Sequence, residues 1–272
     1  MFSIDPTGLA NTLAGGALLG GLISLSALGL SLVLGVMRLV NLVHGQIVVL
    51  GAYIAFFLGS AFGLNPLLAL PIVFAAGFLF TAPIQRFILE NVFVRVFSGD
   101  TRSLDTSFSR QTVALGPLNI PSIYLIGFAI SLVVCVLVHA LVTRTPFGRS
   151  LRASSEDPTS AAIVGIHVSR VRWTTFALNG GLSALGGVLI ALCFSFTPSS
   201  GAEYLLTGFA VIVLGGLGNV LGTFIGGIVL GLVQASGAYF FGDGYRSFVG
   251  LVVLIVLLAV APNGLLRIGR RA

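Results

Sequence analysis

Thr143–Trp173, TRTPFGRSLRASSEDPTSAAIVGIHVSRVRW, is the one long polar passage in a chain otherwise made of apolar segments. It holds Arg144, Arg149, Arg152, Arg170 and Arg172, five of the chain's 14 basic residues. It also carries helix punctuation: Asp157 suits an N-cap, Pro158 the first helical position, and Gly165 the C′ position where φ turns positive. That predicts a helix of about two turns, Pro158 to Val164, with a small apolar surface at Ala161, Ala162 and Val164. A helix this short is marginal alone in water and needs a surface to pack on.

Outward from this stretch the chain is 8% charged and 56% hydrophobic, with a mean hydropathy of +1.08. A soluble domain is about one-quarter charged, so the composition specifies a polytopic, all-α transmembrane bundle. Every basic residue is Arg and none is Lys. Without Lys the chain cannot supply a GxxxxGK[ST] phosphate loop or a Schiff base. His44, His139 and His167 form no HExxH pair, and Cys135 and Cys193 sit in apolar runs, so neither a metal site nor a disulfide is expected. The Arg cluster lies between membrane segments without interleaved aromatics, which argues against nucleic acid. MFSIDPTG has no basic n-region, so the first apolar run is expected to be a retained span.

About eight spans are expected: Leu13–Leu34, His44–Phe62, Pro66–Pro83, Ile123–Val142, Thr174–Phe196, Leu205–Leu217, Leu221–Phe241 and Phe248–Val260. A ninth segment, Phe87–Phe97, is only half a span and contains Glu90 and Arg95. Ser98–Pro121 reads as a polar loop. Gly16 and Gly20 in the first span, and Gly218, Gly222 and Gly226 in GGLGNVLGTFIGG, recur every four residues and are expected to be helix-packing surfaces. The latter stretch lacks the βαβ context of a nucleotide-binding loop. Asn41, His44 and Gln46 interrupt the start of the second span. Either they line a translocation path, or they cap helix ends at the membrane interface.

Arg bias puts the central stretch and the C-terminus, with Arg267, Arg270 and Arg271, in the cytoplasm. Four crossings between them satisfy that parity. Arg38 and Arg86 also read as inside, which puts the N-terminus outside and requires Phe87–Phe97 to cross as a tilted or broken helix.

Three segments resemble the permeases of branched-chain amino-acid ABC transporters: ALGLSLVLGVMRLVNLVHGQIVVLGAY, FGRSLRASSEDPTSAAIVGI and FAVIVLGGLGNVLGTFIGGIVLGLVQ. Together they span nearly the whole chain in the family's order. One departure stands near residues 85–97, where LENVFVRVFSGDTRSL resembles the end of a longer segment. Roughly two dozen residues, about one span, are missing before it.

The resemblance implies a single permease domain over residues 1–272 and not an enzyme. It implies no cofactor on this chain, with ATP bound by partner subunits. The implied partners are a second permease, identical or different, two ABC ATPases and a periplasmic binding protein, in a bacterial inner membrane. The cytoplasmic loop 144–172 then holds the coupling helix, with Arg152, Glu156, Asp157, Pro158, Ala161, Ala162 and Gly165 at the ATPase. The competing reading is a surface helix whose Arg residues contact anionic membrane lipid. Leucine, isoleucine and valine are the default substrates, with other amino acids, amides or urea open. An ion-coupled transporter would need mid-membrane ionisable groups, for which Glu90, Arg95 and His139 are the candidates. A passive channel would need a filter motif, and none is visible.

Overall fold

The computed structural model describes residues 6–37, 41–84, 101–104, 111–116 and 118–260. Within them lie ten α-helices: α1 (Pro6–Met37), α2 (His44–Phe62), α3 (Pro66–Ile84), α4 (Ser122–Arg144), α5 (Pro146–Glu156), α6 (Pro158–Ile163), α7 (Val168–Ala191), α8 (Gly201–Gly215), α9 (Val220–Phe241) and α10 (Arg246–Val260). A small antiparallel hairpin, β1 (Thr112–Leu115) and β2 (Leu118–Pro121), pairs Thr112 with Pro121 and Leu115 with Leu118.

Helix α1 is the spine. At 1.5 Å per residue its 32 residues run about 48 Å, and from Leu19 to Leu34 every residue but Ile23 is buried. A helix apolar all round must be covered all round, and α9, α7, α4 and α8 cover this one. Helix α7 is buried almost continuously from Thr175 to Leu192 and packs α2 and α3 on its other side. By contrast α4 exposes Leu132, Val133, Val136 and Leu137, and α10 exposes Ile255, Val256 and Leu258. Those are the faces hydrocarbon would cover.

Missing side chains let the spine pack closely. A methyl on Gly20 would run into the Gly227 carbonyl, and one on Gly16 into Ala235 and Gly231. The α9 glycines that meet α1 are therefore Gly227 and Gly231. Gly222 and Gly226 lie on another face of α9, against Gly215 and Val211 of α8. Gly218 is not helical. It stands at φ +76° in the α8–α9 turn, against Gly35.

The chain's turns separate two ends of the bundle. Asn119 N–H donates to Asn11 Oδ1 at 2.7 Å, and Arg102 and Phe196 exchange backbone hydrogen bonds of 2.9 and 2.8 Å. This places the hairpin, the start of α1 and the end of α7 together. Helix α4 carries the chain about 35 Å away, to α5 and α6.

Of the eight expected spans, six are helices long and apolar enough to cross a membrane. The other two are shorter: the apolar part of α3 is Pro66–Leu79, and α8 has 15 residues, about 22 Å. Phe87–Phe97, Glu90, Arg95, Arg38, Arg86 and the C-terminal arginines fall outside the described residues. The expected polar loop Ser98–Pro121 contains the hairpin. The helix predicted over Pro158–Val164 ends at Ile163, with Val164 as its C-cap. Just before it stands α5, an amphipathic helix the sequence reading did not find.

Candidate translocation path and coupling surface

At the hairpin end, α1, α4, α7, α8, α9 and the start of α10 enclose a cavity of about 510 Å³. Its apolar lining includes Ile23, Tyr124, Ile190 and Phe194, and its polar lining includes Glu203, Thr207, Gln234 and Arg246. Arg246 opens α10, where it pairs with Asp243 at 3.1 Å, and its guanidinium lies 5.7 Å from the Phe194 ring centroid. Glu203 sits in the first turn of α8, where a carboxylate complements the helix dipole, and accepts the Ser247 hydroxyl proton. A second cavity of about 350 Å³ lies toward Asn11 and shares Tyr124, Asp243 and Arg246 with the first.

The main cavity reaches down α1 to Ser26. Three residues further along, about 4.5 Å, Gly29 meets Asn179 of α7, and here a fully buried polar cluster begins. His44 Nδ1 lies 3.0 Å from Ser183 Oγ, and Ser183 donates to Asn179 Oδ1 at 3.1 Å. With that hydroxyl proton committed, Nδ1–H donates to Ser183, and Nε2 is left as an acceptor. Nε2 and Asn179 Nδ2 have no hydrogen-bond partner. Gly208 of α8 faces the imidazole, where a methyl group would stand 3.3 Å from Nε2. Beside it the Thr223 and Ser31 hydroxyls are hydrogen-bonded at 2.9 Å, joining α9 to α1.

Asn41, His44 and Gln46 therefore separate. Only His44 enters the buried cluster. Asn41 is buried too, but its Oδ1 accepts from Val43 N at 3.1 Å, a local turn that introduces α2. Gln46 lies against Gly201, at the start of α8. Asn179 and Ser183 were not singled out from sequence, although polar residues four apart in an apolar span were the available signal.

At the opposite end, α5 and α6 are built by twin caps. Thr145 accepts from Gly148 N at 3.2 Å ahead of Pro146, and Asp157 accepts from Thr159 N at 2.9 Å ahead of Pro158. The Ser160 hydroxyl also donates to Asp157. That bond, with the N–H groups of Ser160 and Thr159, holds its carboxyl below the usual carboxylate range. Gly165 ends the motif at φ +87°, a region costly for residues with a Cβ.

Arg152 donates to the Val142 carbonyl, closing an otherwise open acceptor at the α4 C-terminus. Leu151 packs on Val171 with Val142, Phe147 and Ile166 around them. Ala161, expected on a docking face, turns inward and is 4% exposed. Ala162 is exposed, and so are Ile163 at 81% and Val164 at 75%. Glu156, Asp157, Pro158 and Gly165 are exposed as well.

A family model for the permease component of branched-chain amino acid transport systems matches residues 12–91 and 84–261. The chain is 27% identical to the high-affinity branched-chain amino acid transport system permease protein BraD of Pseudomonas aeruginosa, over 93% of this chain and 94% of that protein. It is 27% identical to LivH of Escherichia coli, over 92% of this chain and 93% of that one. A partial likeness, 37% over 46% of this chain and 41% of the other, links it to the ribose import permease protein RbsC of Bacillus subtilis. No solved structure matches. The BraD match runs over 290 residues, more than this chain's 272, so that protein carries residues this one lacks. The two family segments meet at 84–91, where the sequence had pointed to a shortening. Over nearly its whole length, the chain belongs to the family of permease components of branched-chain amino acid transport systems.

Proposed function

We propose that the chain is the membrane-spanning permease subunit of an ATP-driven importer of branched-chain or closely related small amino acids. It contributes no catalytic residue and binds no cofactor itself. It pairs with a second permease, identical or different, and with two ATPase subunits that bind the ATP. A binding protein delivers substrate on the hairpin side. The protein resides in a bacterial inner membrane, with the 144–172 segment and the C-terminus cytoplasmic, as the Arg bias supports.

The observation that carries this reading is the exposed apolar end of α6. Ile163 and Val164 project from a capped, otherwise polar turn, and exposed apolar residues rimmed by polar ones mark protein contacts. Arg152 and Leu151 fasten the α5–α6 unit to the end of α4 and the start of α7. A push on α6 is therefore delivered to the foot of α7. Asn179 and Ser183 lie on that same helix, about 16 and 22 Å further along. Moving α7 against α1 and α2 opens the plug below the cavity, which is alternating access in physical form.

Ile163→Asp tests this in proteoliposomes holding the complete transporter. It should cut leucine uptake about tenfold or more, the range expected when a buried interface contact is lost, with the permease still folded. Unchanged uptake and unchanged co-purification of the ATPase would remove α6 from the coupling role.

A further inference from the structure

We propose that the 510 Å³ cavity is a docking site for a free amino-acid zwitterion, with Arg246 receiving the carboxylate and Glu203 the ammonium group. The inference rests on the importer reading above and deepens it, since it assigns this chain its own selectivity apart from the binding protein.

Two opposite charges are brought together here from residues far apart in sequence. Glu203 is tied to Ser247, the residue next to Arg246, so both charges converge on the first turn of α10. Each is already oriented. Asp243 and the Phe194 ring fix the guanidinium, and a guanidinium carries five donors, more than one carboxylate contact uses. Ser247 holds Glu203 through Oε1 and leaves Oε2 for a second donor. Ile23, Ile190 and Phe194 supply an apolar wall beside the charges, suited to a branched alkyl side chain. At about 30 Å³ per water the cavity holds on the order of fifteen waters, room for a small amino acid with part of its hydration. A ribose-like solute carries neither a carboxylate nor an ammonium group, so it gains no charge-assisted contact with Arg246 or Glu203 and is disfavoured by that difference.

The test reads the cavity directly. In the complete transporter, with the binding protein withheld, Thr207→Cys on the cavity wall is labelled with a small thiol reagent. Native Cys135 is buried and Cys193 half-buried, and the unsubstituted transporter supplies their background. Protection is compared for leucine, for leucinol, which lacks the carboxylate, and for 4-methylpentanoate, which lacks the amine.

Leucine should protect at about tenfold lower concentration than either analogue, the scale of one charge-assisted contact. Arg246→Gln should erase the advantage over leucinol and keep that over 4-methylpentanoate. Glu203→Gln should do the reverse, and a merely structural role would not divide the analogues this way. Ser195→Cys at the exposed mouth repeats the series should Thr207→Cys fail to assemble. A transporter that takes up leucine but is not protected by it, or whose preferences survive both substitutions, overturns the cavity assignment alone. One that takes up ribose and not leucine, with ribose protecting, overturns the importer reading and this inference together.

Discussion

The α1–α9 crossing is a close backbone approach along the buried spine, and Gly20→Ala tests it. The added methyl would stand 2.9 Å from the Gly227 carbonyl carbon and from Ile228 Cα, and nearer still to the carbonyl oxygen. Ordinary carbon contacts lie at about 3.5–4.0 Å, so the helices must part by about 1 Å. The obstacle is backbone, which cannot rotate away. A gap of that size forfeits up to about half of each dispersion contact along the seam, and forced overpacking of a filled interior costs about 1–3 kcal/mol. At roughly 2–4 °C per kcal/mol for a domain of this size, the melting temperature should fall by about 2–12 °C. A thiol-reactive fluorophore in detergent measures this, because unfolding uncovers Cys135 and Cys193. Gly244→Ala is the control, since nothing stands within 4 Å of a methyl there. Equal melting temperatures for the two variants would refute the close crossing.

The remaining predictions concern the buried cluster and the proposed coupling turn. His44→Ala removes the imidazole between Ser183 and Gly208 and should cost about 2–4 kcal/mol as a buried truncation; passive leucine efflux from preloaded proteoliposomes should rise several-fold, and an unchanged leak would show the plug lies elsewhere. Asp157→Ala removes the α6 cap and should lower uptake about threefold, whereas Asp157→Asn keeps an acceptor and should match the parent. Because the Asp157 carboxyl is held below its ordinary range, its contribution is complete above that range and is lost only as pH falls through the depressed value. Uptake measured between about pH 6 and 8 should therefore show no titration from this residue.

Local punctuation made much of the fold legible. The end of α2 near Phe62 was legible from the Asn65-Pro66 turn signal, and the structure adds an αL stop at Gly63 and the Asn65 cap that starts the next helix. Helix α5 was missed although Thr145-Pro146 repeats the Asp157-Pro158 signature, because its polar residues read as loop and only Gly148, Leu151 and Ser154 are buried. The inward turn of Ala161 was invisible for another reason: six residues define too little of a helix to show which side packs. In α9 the glycines form interleaved ladders, and periodicity alone does not say which ladder meets which neighbour. The cavity had no local signal whatever, since Glu203 and Arg246 come to line one cavity only after α8 and α10 assemble.

On the alternating-access reading proposed above, the buried cluster accounts for how two arrangements could lie close in energy. A structural polar network is at its best when every member is paired, yet this one keeps one acceptor, His44 Nε2, and one donor, Asn179 Nδ2, without partners. Each unpaired buried group costs about 1–3 kcal/mol, so the cluster as it stands lies a few kcal/mol above a fully paired equivalent. Packing that would be lost on opening, with Gly29 and Gly208 set close against the side chains, offsets that cost. Opening works the other way: it gives up close contacts and lets water or a passing solute satisfy both groups. On that reading the two arrangements differ by opposing terms, which is what would let a push at α6 tip one into the other. A plug of leucines would lack the second term and stay shut.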